Sequence, residues 1–210
     1  MKKIIIVSAL ALGLGTVSLM AQQAATTKSA PISAVGKWNV DAAHSFVKFS
    51  VEHMVISEVE GNFKTFNGAV ESPSADFNNA KINFTVDVNS INTDNEGRDK
   101  HLKGDDFFSA EKFPQMSFVS TSFKKIKGNI YSAEGNLTIR DVTKKVKFAV
   151  VYGGVVKDPW GNIKAGFKAA GSINRKEYGL KWSSVTEAGG AVVGDDIKIQ
   201  VNVELAQQKA

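Results

Sequence analysis

Apolar and polar residues alternate along most of the chain from about Trp38 onward. Successive side chains of an extended strand point to opposite faces of a sheet, so alternation with a period of two predicts strands with one apolar and one polar face. The pattern is clearest in KINFTVDVN, where Ile82, Phe84 and Val86 alternate with polar residues. Such alternation is typical of antiparallel sheets with one face against a core and one in water.

About eight segments of this kind follow one another, without long helical patterns between them. The dipeptides Asn67-Gly68, Gly128-Asn129 and Gly161-Asn162 are typical of turns between strands. We therefore predict an all-β domain, either an up-and-down antiparallel barrel or a sandwich.

One charged segment, residues 90–114, interrupts the alternation and ends at Pro114. Within it we predict one short helical segment near residues 94–106, capped by Thr93 or Asp94. Long insertions between strands are often functional, so this one is either a lid over the mouth of a barrel or a plug in its open end.

The beginning of the chain has the layout of a secretory signal peptide. Lys2 and Lys3 precede an apolar run, and small residues lead to Ala21. The run is shorter than the ~20 apolar residues of a membrane-spanning helix. We expect a cleaved signal peptide over residues 1–21, a flexible lead-in over residues 22–36, rich in Ala, Gln, Thr and Ser, and one domain over residues 37–206.

The charge of the chain argues against binding to nucleic acid. The formal net charge is +5 at pH 7, and it falls to +3 without residues 1–21, which contain Lys2, Lys3 and no acidic residue. The lysines are scattered, whereas nucleic acids require a concentrated basic surface. The chain has no cysteine, so its stability must come from a packed core rather than from the disulfides that are common in exported domains.

Two groups of residues have the chemistry of an enzyme. Asp41, His44 and Ser45 are the residue types of a nucleophilic triad, but three residues within five positions cannot easily form its ordered hydrogen bonds. The three histidines, His44, His53 and His101, could share a metal, but positions nine apart on a regular strand face opposite sides. We expect no catalytic residues, no metal and no catalytic cofactor, and a hydrolytic or metal-dependent enzyme is the alternative from another class.

Several segments resemble, in order, the motifs of the YceI-like family. The segments are WNVDAAHSFVKFSVEHMVISEVEGNFKTFNGAV, SINTDNEGRDKHLKGDDFFSAEKFPQMSF, GNLTIRDVTKKVKF, INRKEYGLKW and VVGDDIKI. The resemblance covers residues 38–203. It implies an extended lipocalin-like antiparallel eight-stranded barrel, located in the periplasm, whose interior tunnel binds a polyisoprenoid or a similar amphiphilic lipid. Members of the family are often homodimers.

The alternation and the resemblance together give the candidate ligand-binding residues. On the inward faces of the strands we expect Val47, Phe49, Val51, His53, Ile82, Phe84, Val86, Phe148, Val150 and Phe167. The resemblance places Arg98, His101 and Leu102 in the segment over the cavity. A polar head group needs hydrogen-bond donors near the mouth, which His53, Arg98, His101 or Arg175 could supply.

These observations favour a carrier for a hydrophobic ligand. We expect a bound polyisoprenoid or isoprenoid quinone-like lipid, and the ligand class follows from the resemblance rather than from the alternation. A scavenger of fatty amides or exogenous hydrophobic compounds is the rival binding hypothesis. Transient membrane contact during ligand exchange and a homodimer are further expectations about partners.

Overall fold

Ten strands, one α-helix and two 3₁₀ turns make up the part of the chain that the computed structural model describes, residues 32–187 and 189–209. The helix is α1 (Glu96–Lys103), and the 3₁₀ turns are Val88–Ser90 and Arg175–Tyr178. The strands are β1 (Gly36–His53), β2 (Ser57–Phe63), β3 (Phe66–Ser72), β4 (Lys81–Asp87), β5 (Ile91–Asn92), β6 (Gln115–Lys127), β7 (Ile130–Ile139), β8 (Val142–Lys157), β9 (Ile163–Asn174) and β10 (Val193–Gln207).

Eight of these strands close into an antiparallel barrel in the order β1-β3-β4-β6-β7-β8-β9-β10. The barrel closes because β10 pairs with β1, from Trp38↔Gln207 to His53↔Val193. The second half of β1 also pairs with β2, and β5 pairs with β2, so these two short strands are additional to the eight. The predicted eight-stranded antiparallel barrel is confirmed, and the sandwich alternative is wrong because the first and last strands are hydrogen-bonded to each other.

The antiparallel order collects the turns at two ends of the barrel. At the closed end, Trp38 is fully buried and its ring centroid lies 5.1 Å from that of Phe77. The opposite end carries α1, the turn between β1 and β2, and the loop before β10. We call this opposite end the mouth.

Residues 32–35 pack against the closed end. Ala34 is fully buried, and its carbonyl accepts a hydrogen bond of 2.9 Å from Trp38 Nε1. Gln207 Nε2 donates to the carbonyl of Val35 at 2.9 Å. This part of the predicted flexible lead-in therefore belongs to the fold, while residues 22–31 and the predicted signal peptide lie outside the described residues.

One predicted turn is wrong, because Asn67-Gly68 lies inside β3. The chain does not reverse between Phe63 and Phe66 either, because β2 and β3 both run antiparallel to β1. A Cβ atom at residue 68 would lie 2.6 Å from the ring of Phe84 and 2.8 Å from Val40. The glycine is therefore required for close packing against side chains of the neighbouring strands β4 and β1 rather than for a turn.

The predicted helical segment is present but its cap is different. The residue that caps α1 is Asn95, whose side chain accepts a hydrogen bond of 2.9 Å from the backbone of Arg98. Thr93 is buried and bonded elsewhere, and Asp94 has a left-handed backbone with φ of 57°. No helix of the described residues is long and apolar enough to cross a membrane.

Candidate functional site

An apolar cavity of about 190 Å³ lies inside the barrel, and we call it the inner cavity. Inward-facing residues of all eight barrel strands line it, together with Phe63 of β2. Several of these side chains, such as Phe84 and Phe118, are only half-buried although they point inward, because they border empty space. A cavity of ~150 Å³ with apolar walls can already hold a benzene molecule, so this one can accept part of an apolar ligand.

Eight of the thirteen predicted ligand-binding residues line the inner cavity. They are Val47, Phe49, Ile82, Phe84, Val86, Phe148, Val150 and Phe167. The structure places each of them on the inward face that the alternation indicated. That they bind a ligand stays a prediction.

A second cavity of about 200 Å³ lies at the mouth, and we call it the outer cavity. The other five predicted residues line it, namely Val51, His53, Arg98, His101 and Leu102. Phe49 is the residue common to the linings of both cavities. The predicted residues are thus divided between an apolar interior and a more polar mouth, and the expected donors His53, Arg98 and His101 lie at the mouth.

Arg98 is held at the edge of the outer cavity by the segment before α1. Its Nε donates to Thr93 Oγ1 at 2.7 Å, and a terminal nitrogen donates to the Thr93 carbonyl at 2.8 Å. Thr93 is buried, and its hydroxyl donates to Asp99 Oδ1 at 2.6 Å. These bonds fix the orientation of a cationic group beside the cavity, so it can serve as a donor to an oxygen atom of a ligand.

His101 connects α1 to the aromatic wall of the outer cavity. Its ring lies edge-on to Phe107 and Trp182, with centroid distances of 5.1 and 5.4 Å. Its Nε2 lies 3.0 Å from Asp106 Oδ2. The helix, which has no buried residue of its own, is therefore attached to the mouth through side chains at its end.

Arg175 does not serve the cavity, and its prediction as a head-group donor is wrong. It is 2% exposed, and its guanidinium donates to the carbonyls of Leu180 and Trp182 at 2.7 Å and of Gly194 at 2.8 Å. Burial lowers the pKa of this guanidinium. Its role is to fix the loop before β10, which brings Trp182 and Val193 to the outer cavity.

Trp182 and Phe107 are wall residues that the sequence analysis missed. Both lie in irregular segments of the chain, between the 3₁₀ turn and β10 and between α1 and β6. A period of two carries no information about the direction of a side chain outside a strand. The available signal was the resemblance, since both residues lie within its motifs.

Asp41, His44 and Ser45 do not form a nucleophilic triad. His44 Nδ1 lies 3.1 Å from Asp41 Oδ2, but the Ser45 hydroxyl donates to the backbone carbonyl of Asp41 at 2.6 Å. Lys164 Nζ lies 2.6 Å from Asp41 and 3.1 Å from Glu204. Hydrogen bonds from Lys164 and His44 lower the pKa of Asp41 to about 2.

The same group has the ligand types of a cation site, because Asp41, His44 and Glu204 lie close together. The ammonium of Lys164 bridges the two carboxylates, so the cluster is an ion-pair network that ties the irregular part of β1 to β9 and β10. His53 and His101 line the outer cavity instead. The three histidines therefore do not converge on one position.

Comparison with known proteins gives both sequence and structural matches. The sequence profile of the YceI-like domain family matches residues 38–205. A UPF0312 protein of Staphylococcus aureus strain USA300 is 38% identical over 167 residues, which are 79% of this chain and 95% of the relative. The crystal structure of the YceI protein of Campylobacter jejuni has a TM-score of 0.64 at 33% identity, over 75% of this chain and 90% of that chain.

Two more distant structures share the fold. BcnA of Burkholderia cenocepacia has a TM-score of 0.69 at 24% identity, over 79% of this chain and 98% of that chain. A polyisoprenoid-binding domain from Saccharophagus degradans has a TM-score of 0.63 at 12% identity, over 81% of this chain and 98% of that chain. The lipocalin-like barrel with additional strands is thus common to proteins of low sequence similarity.

Proposed function

Because this chain belongs to the YceI-like family, we propose that it is a carrier that holds a polyisoprenoid or a similar long-chain amphiphilic lipid inside its barrel. The observation that carries the proposal is the inner cavity, whose walls are formed by inward apolar side chains of every barrel strand. The description of the Saccharophagus degradans domain as polyisoprenoid-binding supports this choice of ligand.

The energetics of an isoprenoid chain suit such a cavity. Each buried CH₂ group contributes about 0.8 kcal/mol, while ordering of the chain and loss of its free motion oppose binding. In our proposal the chain occupies the inner cavity of about 190 Å³ and the head group lies in the outer cavity of about 200 Å³. There Arg98, His53 and His101 are available to hydrogen-bond a carbonyl, hydroxyl or phosphate oxygen.

The test is to identify what the protein carries and what it accepts. The purified protein is extracted with organic solvent, the released compounds are weighed by mass spectrometry, and the emptied protein is titrated with geranylgeraniol and with stearamide under native mass spectrometry. We expect an isoprenoid in the extract and binding of about one geranylgeraniol per chain, because in our proposal the inner and outer cavities together hold one ligand. Recovery of a fatty amide with preference for stearamide would replace the ligand class by the rival one.

A variant pair makes this test specific for the barrel interior. Val150→Asp places a carboxyl group in the inner cavity, whereas Val151→Asp places the same group on the outer face of the same strand, where Val151 is 40% exposed. We expect loss of geranylgeraniol binding in the first variant only. Binding that survives in both would show that the ligand lies elsewhere.

We also propose that the protein is exported to the periplasm, which the signal layout of residues 1–21 supports. Amino-terminal sequencing of the protein from fractionated cells should give a mature chain that begins at Gln22. A chain that retains Met1 in the soluble cytoplasmic fraction would contradict the proposal.

A further inference from the structure

Three consecutive apolar residues are exposed in the turn between β1 and β2. Met54, Val55 and Ile56 are 39%, 59% and 83% exposed. Val185, in the loop before β10, is 71% exposed. We call these four residues the mouth tip.

The two parts of the mouth tip form one surface. The backbone N–H of Met54 donates to the carbonyl of Val192 at 3.0 Å, and Val192 N donates to the carbonyl of Ser184 at 2.9 Å. The side chain of Val55 lies against Gly190 of the same loop, where an added Cβ atom would be 3.0 Å from it. The exposed side chains are therefore held together rather than scattered singly.

The turn holds these side chains at a conformational cost. Met54 and Val55 have left-handed backbones, with φ of 53° and 67°. Tight turns of this kind favour Asn and Gly, and a left-handed conformation is rare for a β-branched residue. The strained backbone and the exposed apolar side chains both reduce stability, so we infer that this turn has a function.

The mouth tip is continuous with the ligand cavities. His53 and Val192, which adjoin the two parts of the tip, line the outer cavity. Phe49 lines both the outer and the inner cavity. The tip therefore adjoins the outer cavity, which in turn adjoins the barrel interior at Phe49.

The size and charge of the mouth tip indicate what it contacts. Four side chains cannot supply the ~1,200 Å² that a stable interface between proteins buries, but shallow insertion of a few apolar side chains suffices for reversible membrane contact. Within two positions of the tip along the chain the carboxylates are Glu52, Glu58 and Glu187, the cations are limited to the ionisable His53, and Glu58 is paired with Lys198. Acidic neighbours do not suit an anionic surface.

We propose that the mouth tip docks the barrel onto a zwitterionic lipid bilayer, so that a lipid passes between the membrane and the cavities without crossing water. The proposal rests on the proposed function, since it describes how the carried lipid enters and leaves. It assigns the tip a direct contact with the acyl region of the membrane, and it predicts that anionic lipids do not strengthen that contact.

The test compares exposed apolar residues at the two ends of the barrel. The tip variant is Ile56→Ser with Val185→Ser, and the control variant is Ile126→Ser with Val156→Ser, whose parent residues are 65% and 60% exposed at the closed end. Each full-length protein is floated with phosphatidylcholine vesicles, with and without phosphatidylglycerol. Transfer of the fluorescent lipid parinaric acid from vesicles to the protein is timed, and its affinity in vesicle-free solution is measured separately.

We expect the tip variant to lose about tenfold or more in vesicle binding and transfer rate, because the two aliphatic side chains that it lacks together contribute at least that factor when they leave water. The control variant and the affinity in solution should be unchanged. Equal effects of both variants, or binding that needs phosphatidylglycerol, would overturn the docking proposal while leaving the carrier proposal intact. Loss of a wild-type dimer in the tip variant would also overturn the docking proposal, because a second copy of the chain would then be the occupant. Failure of every protein to bind either parinaric acid or geranylgeraniol in solution would count against the carrier proposal itself.

Discussion

Replacement of Val150 by Asp tests which face of β8 lines the cavity. Val150 is 4% exposed and borders the inner cavity, where apolar side chains surround it. An ionised carboxylate has no partner there, so the new side chain is expected to stay neutral in the folded state and its pKa to be raised by burial. Val151, the next residue, is 40% exposed on the opposite face and provides the matched control.

The expected loss of stability has two parts. Removing a buried valine side chain costs about 1.5 to 3 kcal/mol. Keeping a carboxyl group neutral at pH 7, when it ionises near pH 3.9 in the unfolded chain, costs about 4 kcal/mol, and about 1.5 kcal/mol at pH 5. The sum at pH 7 is about 6 kcal/mol, which is comparable with the whole stability of many domains, about 5 to 15 kcal/mol.

Urea denaturation at pH 7 and pH 5 measures both parts. Because the folded-state pKa is raised, the penalty grows as pH rises above the unfolded value, so Val150→Asp should regain about 2 to 3 kcal/mol at pH 5. Val151→Asp should change the free energy of unfolding by about 0.5 kcal/mol or less at either pH. Similar losses in both variants, or a loss in Val150→Asp that does not depend on pH, would refute the assignment of faces.

Three further predictions follow from the ionisable groups. Asp41→Asn should lower the free energy of unfolding by about 1 to 2 kcal/mol at pH 6. Because the pKa of Asp41 is lowered to about 2 in the folded state, its contribution is lost as the pH falls from about 5 to about 2, and the urea midpoints of variant and wild type should converge over that range. Arg175→Lys should cost about 3 kcal/mol and increase hydrogen exchange in residues 180–194, since lysine cannot bond the same carbonyls, whereas Lys176→Ala at the exposed neighbouring position should not. Burial raises the pKa of all three tyrosines, that of Tyr178 to about 12, so above pH 10 the folded protein should show less phenolate absorbance than the urea-unfolded chain. Because unfolded tyrosines ionise near pH 10, the stability that neutral tyrosines contribute is lost as the pH rises above that value, and equal absorbance of the folded and unfolded protein would contradict this prediction.

The barrel and its inward faces could be predicted because they depend on local geometry. In a strand the direction of each side chain follows from its position alone, so alternation was enough to place Phe84, Phe148 and Phe167 inside. The alternation also indicated about eight strands and the insertion at residues 90–114, and the resemblance added the ligand class. The pairing of β1 with β10 confirms the barrel. It joins residues as far apart in the chain as Trp38 and Gln207, 169 positions.

The mouth could not be predicted in the same way, because its structure depends on contacts between distant segments. The sequence suggests Arg175 as a donor to a ligand. Its guanidinium instead donates to the carbonyls of Leu180 and Trp182, in an irregular loop whose path no periodicity indicates. The dipeptide Asn67-Gly68 predicts a turn. The structure requires the glycine because the ring of Phe84, sixteen positions later, packs against it. Both errors assign a local cause to a residue that a non-local contact explains.

The division of the interior into two cavities has a similar non-local cause. A Cβ atom at Gly61 would overlap the ring of Phe49 on the neighbouring strand and lie 2.8 Å from the methyl group of Thr93. The absence of a side chain at residue 61 therefore lets the Phe49 ring stand between the inner and outer cavities. The sequence shows Gly61 only as an interruption in a strand.

This arrangement bears on how a long ligand fits. Each cavity, at about 190 and 200 Å³, is smaller than the ~300 to 1,000 Å³ of typical sites for small organic molecules, whereas the two together reach that range. Phe49 lines both cavities, so its ring is the side chain that lies between them. Separating strands to make the same space would break hydrogen bonds of the closed barrel, each at a substantial cost. In the proposed carrier, a lipid longer than the inner cavity therefore extends past the Phe49 ring into the outer cavity, and a smaller side chain at residue 49 is expected to lengthen the chain that the barrel accepts.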